Sequence, residues 1–239
     1  MVTARKAKPS DSVYRTGYAR APARSYLRAM GLTDEDIAKP IIGVGSCWNE
    51  TSPCNVHLNR LAGWAKQGVK AGGGTPREFT TISVTDGISM GYEGMKASLV
   101  SREVIADSFE LVVFAHGYDA LVGIGGCDKS IPGTMMAMAR LNVPSVFVYG
   151  GSIMPGQWRG KDVTVQDVFE GVGAVEAGTM TESELGELEC AACPGEGACG
   201  GMYTANTMAC ASEALGIALP YSASLPATDP ARMELMRWA

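Results

Sequence analysis

Residues 120–151 read ALVGIGGCDKSIPGTMMAMARLNVPSVFVYGG, and the fold class follows from them. Ala120 to Ile124 is a short apolar run, Pro132 to Leu141 continues apolar over a helical length, and Ser145 to Tyr149 is a second apolar run ending at Gly150-Gly151. Short apolar runs separated by a helix of ten or more residues mark a βαβ unit, whose parallel strands are buried on both faces. The alternation extends upstream. Ile41 to Val44 follows Pro40, and Asn55 then opens a stretch in which Leu58, Leu61, Ala65 and Val69 recur at helical spacing until Gly72 to Gly74 stop it. Phe79 to Val84 is partly alternating and ends at Asp86-Gly87. Leu99 to Ala115 places Leu99, Val100, Val104, Ile105, Phe109 and Val112 on one helical face, with Gly117 as its C-cap. The expected fold is α/β, a parallel sheet flanked by helices.

Beyond Gly151 the pattern turns helical, over Val165 to Ala177 and over Glu182 to Cys190, the latter opened by a Thr181-x-x-Glu184 capping box. A glycine- and cysteine-rich loop spans Cys193 to Gly201. Tyr203 to Leu219 reads as a further helix, and Pro230 to Ala239 as a helix cut mid-pattern. Neither an internal repeat nor a boundary-like linker interrupts the chain, so residues 1–239 are expected to form one α/β domain, with 1–39 as an arm and first helix.

Composition narrows the function classes. The chain has 239 residues, 46% of them apolar, enough for one sizeable core, and its 30 glycines point to many tight turns and close backbone approaches. A net charge of −5 with dispersed Lys and Arg argues against a nucleic-acid partner. Only the first 28 residues lean basic, through Arg5, Lys6, Lys8, Arg15, Arg20, Arg24 and Arg28, which reads as a solvated arm. No stretch reaches the length of a membrane span. Seven cysteines is an odd number, too few for a disulfide scaffold, and no secretory leader pattern precedes them, so a reducing cytosol is expected.

In an open parallel sheet, ligands bind at the carboxyl ends of the strands. Cys54 follows the first predicted strand, Asp86 the second, and Cys127-Asp128-Lys129 the third, while Cys199 lies in the glycine loop before a helix. Any one free cysteine is equally a small buried hydrophobe. Position favours more for Cys54, Cys127 and Cys199, each in a Pro- or Gly-flanked loop near a helix start, where backbone N–H groups favour thiolate. Three thiolates without a fourth suit an iron–sulfur cluster with one iron position open. Cys47 and Cys210 lack that setting, and Cys190-x-x-Cys193 has no second pair to complete a zinc site. Asp86 and Asp128 are oxygen donors suited to Mg²⁺, although Asp-Gly is also ordinary turn chemistry and Asp128 is placed to cap the next helix. Lys129 alone reads as a solvated or ion-paired lysine. His57 and His116 are isolated from any nucleophile–acid pair.

Five segments are similar to the dihydroxy-acid dehydratase family, in that family's order. They are Cys47-Trp-Asn-Glu-Thr-Ser-Pro-Cys54-Asn55, Thr85-Asp86-Gly-Ile-Ser-Met-Gly91, Ser98 to Ser108, Gly126-Cys127-Asp128-Lys129-Ser130-Ile-Pro-Gly133, and Cys193 to Met208. The resemblance implies dehydration of 2,3-dihydroxy-3-methyl acids to 2-oxo acids in valine, isoleucine and coenzyme A precursor synthesis, by a cytoplasmic homodimer, or an organellar one in a eukaryote. It assigns a cluster to Cys54, Cys127 and Cys199, of the [2Fe-2S] type because Cys54 is present. It assigns Mg²⁺ to Asp86, Asp128 and Lys129, the last as a carbamate. The base serine and a further magnesium glutamate belong to a C-terminal domain that the resemblance places beyond Ala239. This chain therefore has the features of the N-terminal part and is expected to turn over poorly alone. A sugar-acid dehydratase of the same superfamily, or a catalytically silent iron–sulfur or interaction module, are the competing readings.

Overall fold

The computed structural model describes residues 8–239, so Arg5 and Lys6 of the basic segment lie outside the described residues. Four parallel strands form the central sheet: β1 (Ile41–Ser46), β2 (Thr75–Thr80), β3 (Ala120–Gly125) and β4 (Ser145–Tyr149). Their spatial order is β2-β1-β3-β4, with Ser46 opposite both Thr80 and Ile124, and Gly125 opposite Tyr149. The helices, in chain order, are α1 (Ala21–Ala29), α2 (Asp34–Ala38), α3 (Leu58–Ala71), α4 (Asp86–Ser89), α5 (Lys96–Ala115), α6 (Ser130–Leu141), α7 (Val165–Glu176), α8 (Glu182–Ala192), α9 (Thr204–Ala214) and α10 (Ala231–Trp238).

Strand order decides where a ligand can sit. From β1 the chain passes through α3 to β2 on one side, then returns across the sheet through α5 to β3 and through α6 to β4. Right-handed crossovers therefore put α3 on one face and α5 with α6 on the other. The packing agrees: α10 lies on α3, and α5 lies along α6. Leu58, Leu61, Ala62 and Ala65 are the buried stripe of α3. On the opposite face the Phe109 ring lies directly over β1, so close that a Cβ on Gly45 would come within 2.3 Å of it. Phe79, paired across from Gly45, completes the contact edge-to-face at 5.2 Å between ring centroids. The direction reversal falls between β1 and β3, whose carboxyl ends open a crevice.

Several expectations need correction. The second strand covers 75–80 rather than 79–84, because Thr75 to Thr80 pairs along the whole of β1, and Ile82 beyond it is half-exposed. Helix α5 buries Ser98, Ser101, Ile105, Ala106, Phe109 and Val113, so the predicted face holds for Ile105 and Phe109 but not for its N-terminal half. Leu99, Val100 and Val104 point outward, because small residues at 98, 101 and 106 let this mostly apolar helix approach its neighbours more closely than bulky ones would. Helix α9 ends at Ala214, where Gly216 with φ +72° turns the chain. A hairpin of β5 (Gly156–Trp158) and β6 (Lys161–Val163) was not foreseen; its turn, Arg159-Gly160, has positive φ at both positions, as a two-residue hairpin requires.

Nor is the described part of the arm simply solvated. Asp119 accepts from the Ser10 N–H at 3.0 Å, the Ser10 hydroxyl at 2.6 Å and the Ile41 N–H at 2.9 Å, tying the arm to the start of β1. Tyr14 is buried, and Arg15 donates to the Ile37 carbonyl at 2.7 Å. The hairpin packs with α7 and α8 around Val163, Leu188 and Ala192 as a small second core. No helix among the described residues is long and apolar enough to cross a membrane.

Candidate functional site

The crevice between β1 and β3 is filled by three loops, each contributing one cysteine to the cavity there. Residues 47–57 run from β1 to α3 and carry Cys54; residues 126–129 run from β3 to α6 and carry Cys127; residues 193–203 run from α8 to α9 and carry Cys199. Backbone contacts lock the three together. The Cys54 carbonyl lies so near Gly126 that a Cβ there would stand 2.1 Å from it, so residue 126 must be glycine. The Gly197 N–H donates to the Pro53 carbonyl at 2.8 Å, and an Arg60–Glu196 ion pair ties the third loop to the first turn of α3. Ala198 N–H donates to the Gly151 carbonyl at 2.9 Å, fixing the third loop to the end of β4.

The three thiols meet on one cavity of about 430 Å³, which Thr85, Asp86, Met90, Asp128, Val165, Phe169 and Tyr203 also line. Cys54 and Cys127 are buried and Cys199 is partly exposed. The thiols do not titrate alike. Hydrogen bonds that Cys54 donates toward Cys127 and Cys199, helped by burial, hold its proton and push its pKa well up. Those bonds pull Cys127 down, with the Thr85 hydroxyl 3.6 Å from its sulfur adding to the effect, and bring Cys199 to about 7. In the metal-free chain Cys127 and Cys199 are therefore more easily ionised than Cys54. In the metal-free chain at neutral pH, iodoacetamide is expected to label Cys199 ahead of buried Cys47, whose pKa is pushed to about 12. Peptide mapping across a pH series should show Cys199 labelling rise through pH 7; a rise only above pH 9 contradicts the network.

Beside the thiols sits a carboxylate pair bridged by a lysine. The Lys129 Nζ donates to Asp86 Oδ2 at 3.1 Å and to Asp128 Oδ2 at 3.0 Å, and the Ser98 hydroxyl donates to Asp86 Oδ1. Asp86 opens the one-turn helix α4, so its carboxylate is held by structure and not by an Asp-Gly turn. Asp128 does not cap α6; Lys129 occupies the cap position, and the Ser130 hydroxyl accepts the Cys127 N–H at 2.9 Å. Burial raises the Asp128 pKa, and the neighbouring Asp86 carboxylate raises it further. Asp86 goes the other way: burial opposes it, but hydrogen bonds from Asp128, Ser98 and Lys129 bring it below the usual range. Two close carboxylates sharing one cation behave in this opposed manner.

This donor set fits a cation better than it fits the lysine alone. Asp128 Oδ1 is buried without a hydrogen-bond partner, the state expected of an oxygen awaiting a cation. Among the described residues no three His, Cys, Asp or Glu side chains already stand at single-ion spacing. Two carboxylates therefore need a third anionic oxygen from elsewhere, and three thiols spread around one cavity suit a polynuclear centre better than one ion. Cys190 and Cys193 are exposed, Cys193 following the last residue of α8. His57 is buried, with its Nε2 2.9 Å from the Gly150 carbonyl. A larger cavity of about 690 Å³ lies at the amino ends of the strands, among Pro40, Ile42, Ala120 and Pro144. It gathers no thiol or carboxylate side chain.

Comparison with known proteins identifies the family of the chain. Residues 39–239 match the family described as dihydroxy-acid/6-phosphogluconate dehydratase, N-terminal. A protein of Pelagibacter ubique named dihydroxy-acid dehydratase is 68% identical over 211 residues, which cover 88% of this chain and 37% of that protein. One of Parvibaculum lavamentivorans, of the same name, is 65% identical over 218 residues, covering 91% and 38%. One of Sulfurisphaera tokodaii, again so named, is 58% identical over 229 residues, covering 96% and 41%. The chain thus spans somewhat over a third of the length of the curated relatives it matches. On the length of the match and the identity across it, this chain belongs to the dihydroxy-acid/6-phosphogluconate dehydratase family, over that family's N-terminal region.

Proposed function

We propose that this chain supplies the cluster- and magnesium-binding region of an enzyme that dehydrates 2,3-dihydroxy-3-methyl carboxylic acids to 2-oxo acids, in branched-chain amino acid and coenzyme A precursor synthesis. The observation that carries the reading is one cavity on which three thiols and a carboxylate pair converge and whose lining also includes the apolar side chains of Met90, Val165, Phe169 and Ala205. The polar lining suits a carboxylate with adjacent hydroxyls. The apolar lining suits a branched alkyl group and offers little to the hydroxyl-rich tail of an aldonic acid.

Cys54, Cys127 and Cys199 would hold the [2Fe-2S] cluster, and Asp86, Asp128 and Lys129 the Mg²⁺. When bound, the cluster's open iron supplies a Lewis acid to the departing C3 hydroxyl, and magnesium neutralises the substrate carboxylate and C2 hydroxyl. Over the reaction the substrate loses its C2 proton and C3 hydroxide as water, and the resulting enol tautomerises to the 2-oxo acid. Lys129 has to change charge for its part. Its ammonium gives up one proton to free the Nζ lone pair, which bonds to the carbon of carbon dioxide, and the adduct gives up a second proton, so a cation between two carboxylates becomes a third anionic oxygen donor. Ser98 keeps Asp86 oriented throughout, and Thr85 supports the Cys127 sulfur. The base for the C2 proton is not assigned to a residue of this chain. The outward apolar row Leu99, Val100, Val104, Leu111 and Phe114 on α5 suits the subunit contact of a homodimer.

The test is a substrate panel on the full-length protein that contains this chain, loaded with iron, sulfide and magnesium. Turnover of 2,3-dihydroxy-3-methylbutanoate should exceed that of aldonic acids. Phe169→Asn should lower kcat/KM for the branched substrate by roughly tenfold or more, the scale of one lost apolar contact in a pocket. Preference for aldonic acids would move the assignment to sugar-acid dehydration, and turnover of neither would favour a silent module.

A further inference from the structure

The loop carrying Cys54 buries polar atoms that nothing in the protein satisfies. Asn55 is fully buried, and neither its Oδ1 nor its Nδ2 has a hydrogen-bond partner. A buried carboxamide with all its hydrogen-bonding capacity unused is rare, and in native proteins such a group is explained by a missing ligand or water. Its position is specific. Asn55 follows Cys54, and its Oδ1 lies 3.5 Å from where a Cβ on Gly126 would be, against the residue that precedes Cys127. The carboxamide is thus wedged between two of the three cysteine loops, on the protein side of the thiols, absent from the residues lining the substrate-sized cavity. His57, two residues along, is also buried, with its Nε2 2.9 Å from the Gly150 carbonyl. Burial holds its ring neutral, and its Nδ1 also lacks a partner.

We propose that Asn55 is a positioning residue for the cluster, its Nδ2–H donating to a cluster sulfur or to a cysteine sulfur that ligates it. The inference rests on the iron–sulfur reading above and adds a residue to it. Sulfur in such centres is an acceptor, and N–H donors around it stabilise the reduced, more negative form, which raises the potential and strengthens retention of the cluster. The donor must come from a group that the fold leaves unused, and Asn55 is such a group next to both buried ligands.

The experiment compares the reconstituted wild-type chain with Asn55→Leu, which keeps the side-chain branching but removes the donor, and with Asn55→Asp, which replaces the donor by a carboxylate. Iron and sulfide content, the midpoint potential, and the shift of Fe–S stretching bands on H₂O/D₂O exchange are read together. Wild type should carry cluster and show a deuterium-sensitive band. In Asn55→Leu that sensitivity should disappear, the potential should fall, and cluster loss to chelator should speed up by roughly tenfold or more. Asn55→Asp should lower the potential further, and it remains informative if the leucine variant loads poorly. Without cluster, Asn55→Leu should melt no lower than wild type, because it removes an unpartnered buried amide. Unchanged potential and deuterium shift in both variants would overturn the role of Asn55 while leaving the cluster reading intact. A wild-type chain that takes up no iron and sulfide would remove both together.

Discussion

Cys54→Ser is expected to cut cluster retention by at least tenfold while leaving the cluster-free fold close to unchanged. Loss of an outer-shell partner alone typically costs ~10–100-fold in metal affinity, and loss of a ligand should cost no less. Cys54 is the thiol that hydrogen-bonds to both others, so its removal breaks the set at its centre. The fold should tolerate the change because Cys54 keeps its proton in the metal-free chain, and a hydroxyl can donate in the same directions. Iron and sulfide analysis after desalting, with a thermal melt of the unloaded protein, checks both halves. Full iron retention in Cys54→Ser would remove this cysteine from the ligand set.

Lys129→Met is the second large effect, and it is visible without any metal. The lysine ammonium stands between Asp86 and Asp128, whose side chains are only 15% and 18% exposed. Removing it leaves two neighbouring buried carboxylates without their shared cation, a change that typically costs about 3–5 kcal/mol, so roughly 3 kcal/mol is expected at this partly hydrated site. For a chain of this size that lowers the Tm by about 6–12 °C. The pH dependence should shift. In wild type the depressed Asp86 pKa contributes stability that is lost as pH falls, while the raised Asp128 pKa works the other way. In Lys129→Met the cation that favours both ionised carboxylates is gone, so both pKa values rise and acid should stabilise the variant relative to wild type. Magnesium should also rescue the variant's Tm in part, since the cation can replace the ammonium. A Tm within 2 °C of wild type at neutral pH would show that the bridge contributes little.

How much of this was legible in the sequence depended on what each residue touches. The βαβ alternation was clear because β1, β3 and β4 are buried on both faces and therefore continuously apolar. The second strand was misplaced by four residues because Thr75-Pro-Arg-Glu lies at the sheet edge, where polar residues are tolerated, while Ile82 and Val84 beyond the strand are not paired. The face of α5 was misread in part for a related reason. Leu99, Val100 and Val104 point outward, and its buried set includes two serines and an alanine that periodicity does not weigh. The candidate residues Cys54, Asp86, Cys127, Asp128, Lys129 and Cys199 fall together because the three cysteine loops and the segment after β2 that carries Asp86 meet at one switch point, an outcome that strand-end position anticipates for all but Cys199. Periodicity could not show the network among the thiols, the lysine bridge, or the stranded carboxamide of Asn55. Those depend on side-chain distances between segments more than forty residues apart; the adjacency of Asn55 to Cys54 was the only signal available for it.

The most direct test of the account is Mössbauer spectroscopy with iron and sulfide analysis on the chain reconstituted anaerobically with ⁵⁷Fe. The [2Fe-2S] reading that the family resemblance implies from Cys54 predicts about two iron and two sulfide per chain, in two inequivalent sites, one of them with an incomplete thiolate shell. About four iron per chain, a lone thiolate-bound iron without sulfide, or no bound iron at all would contradict it.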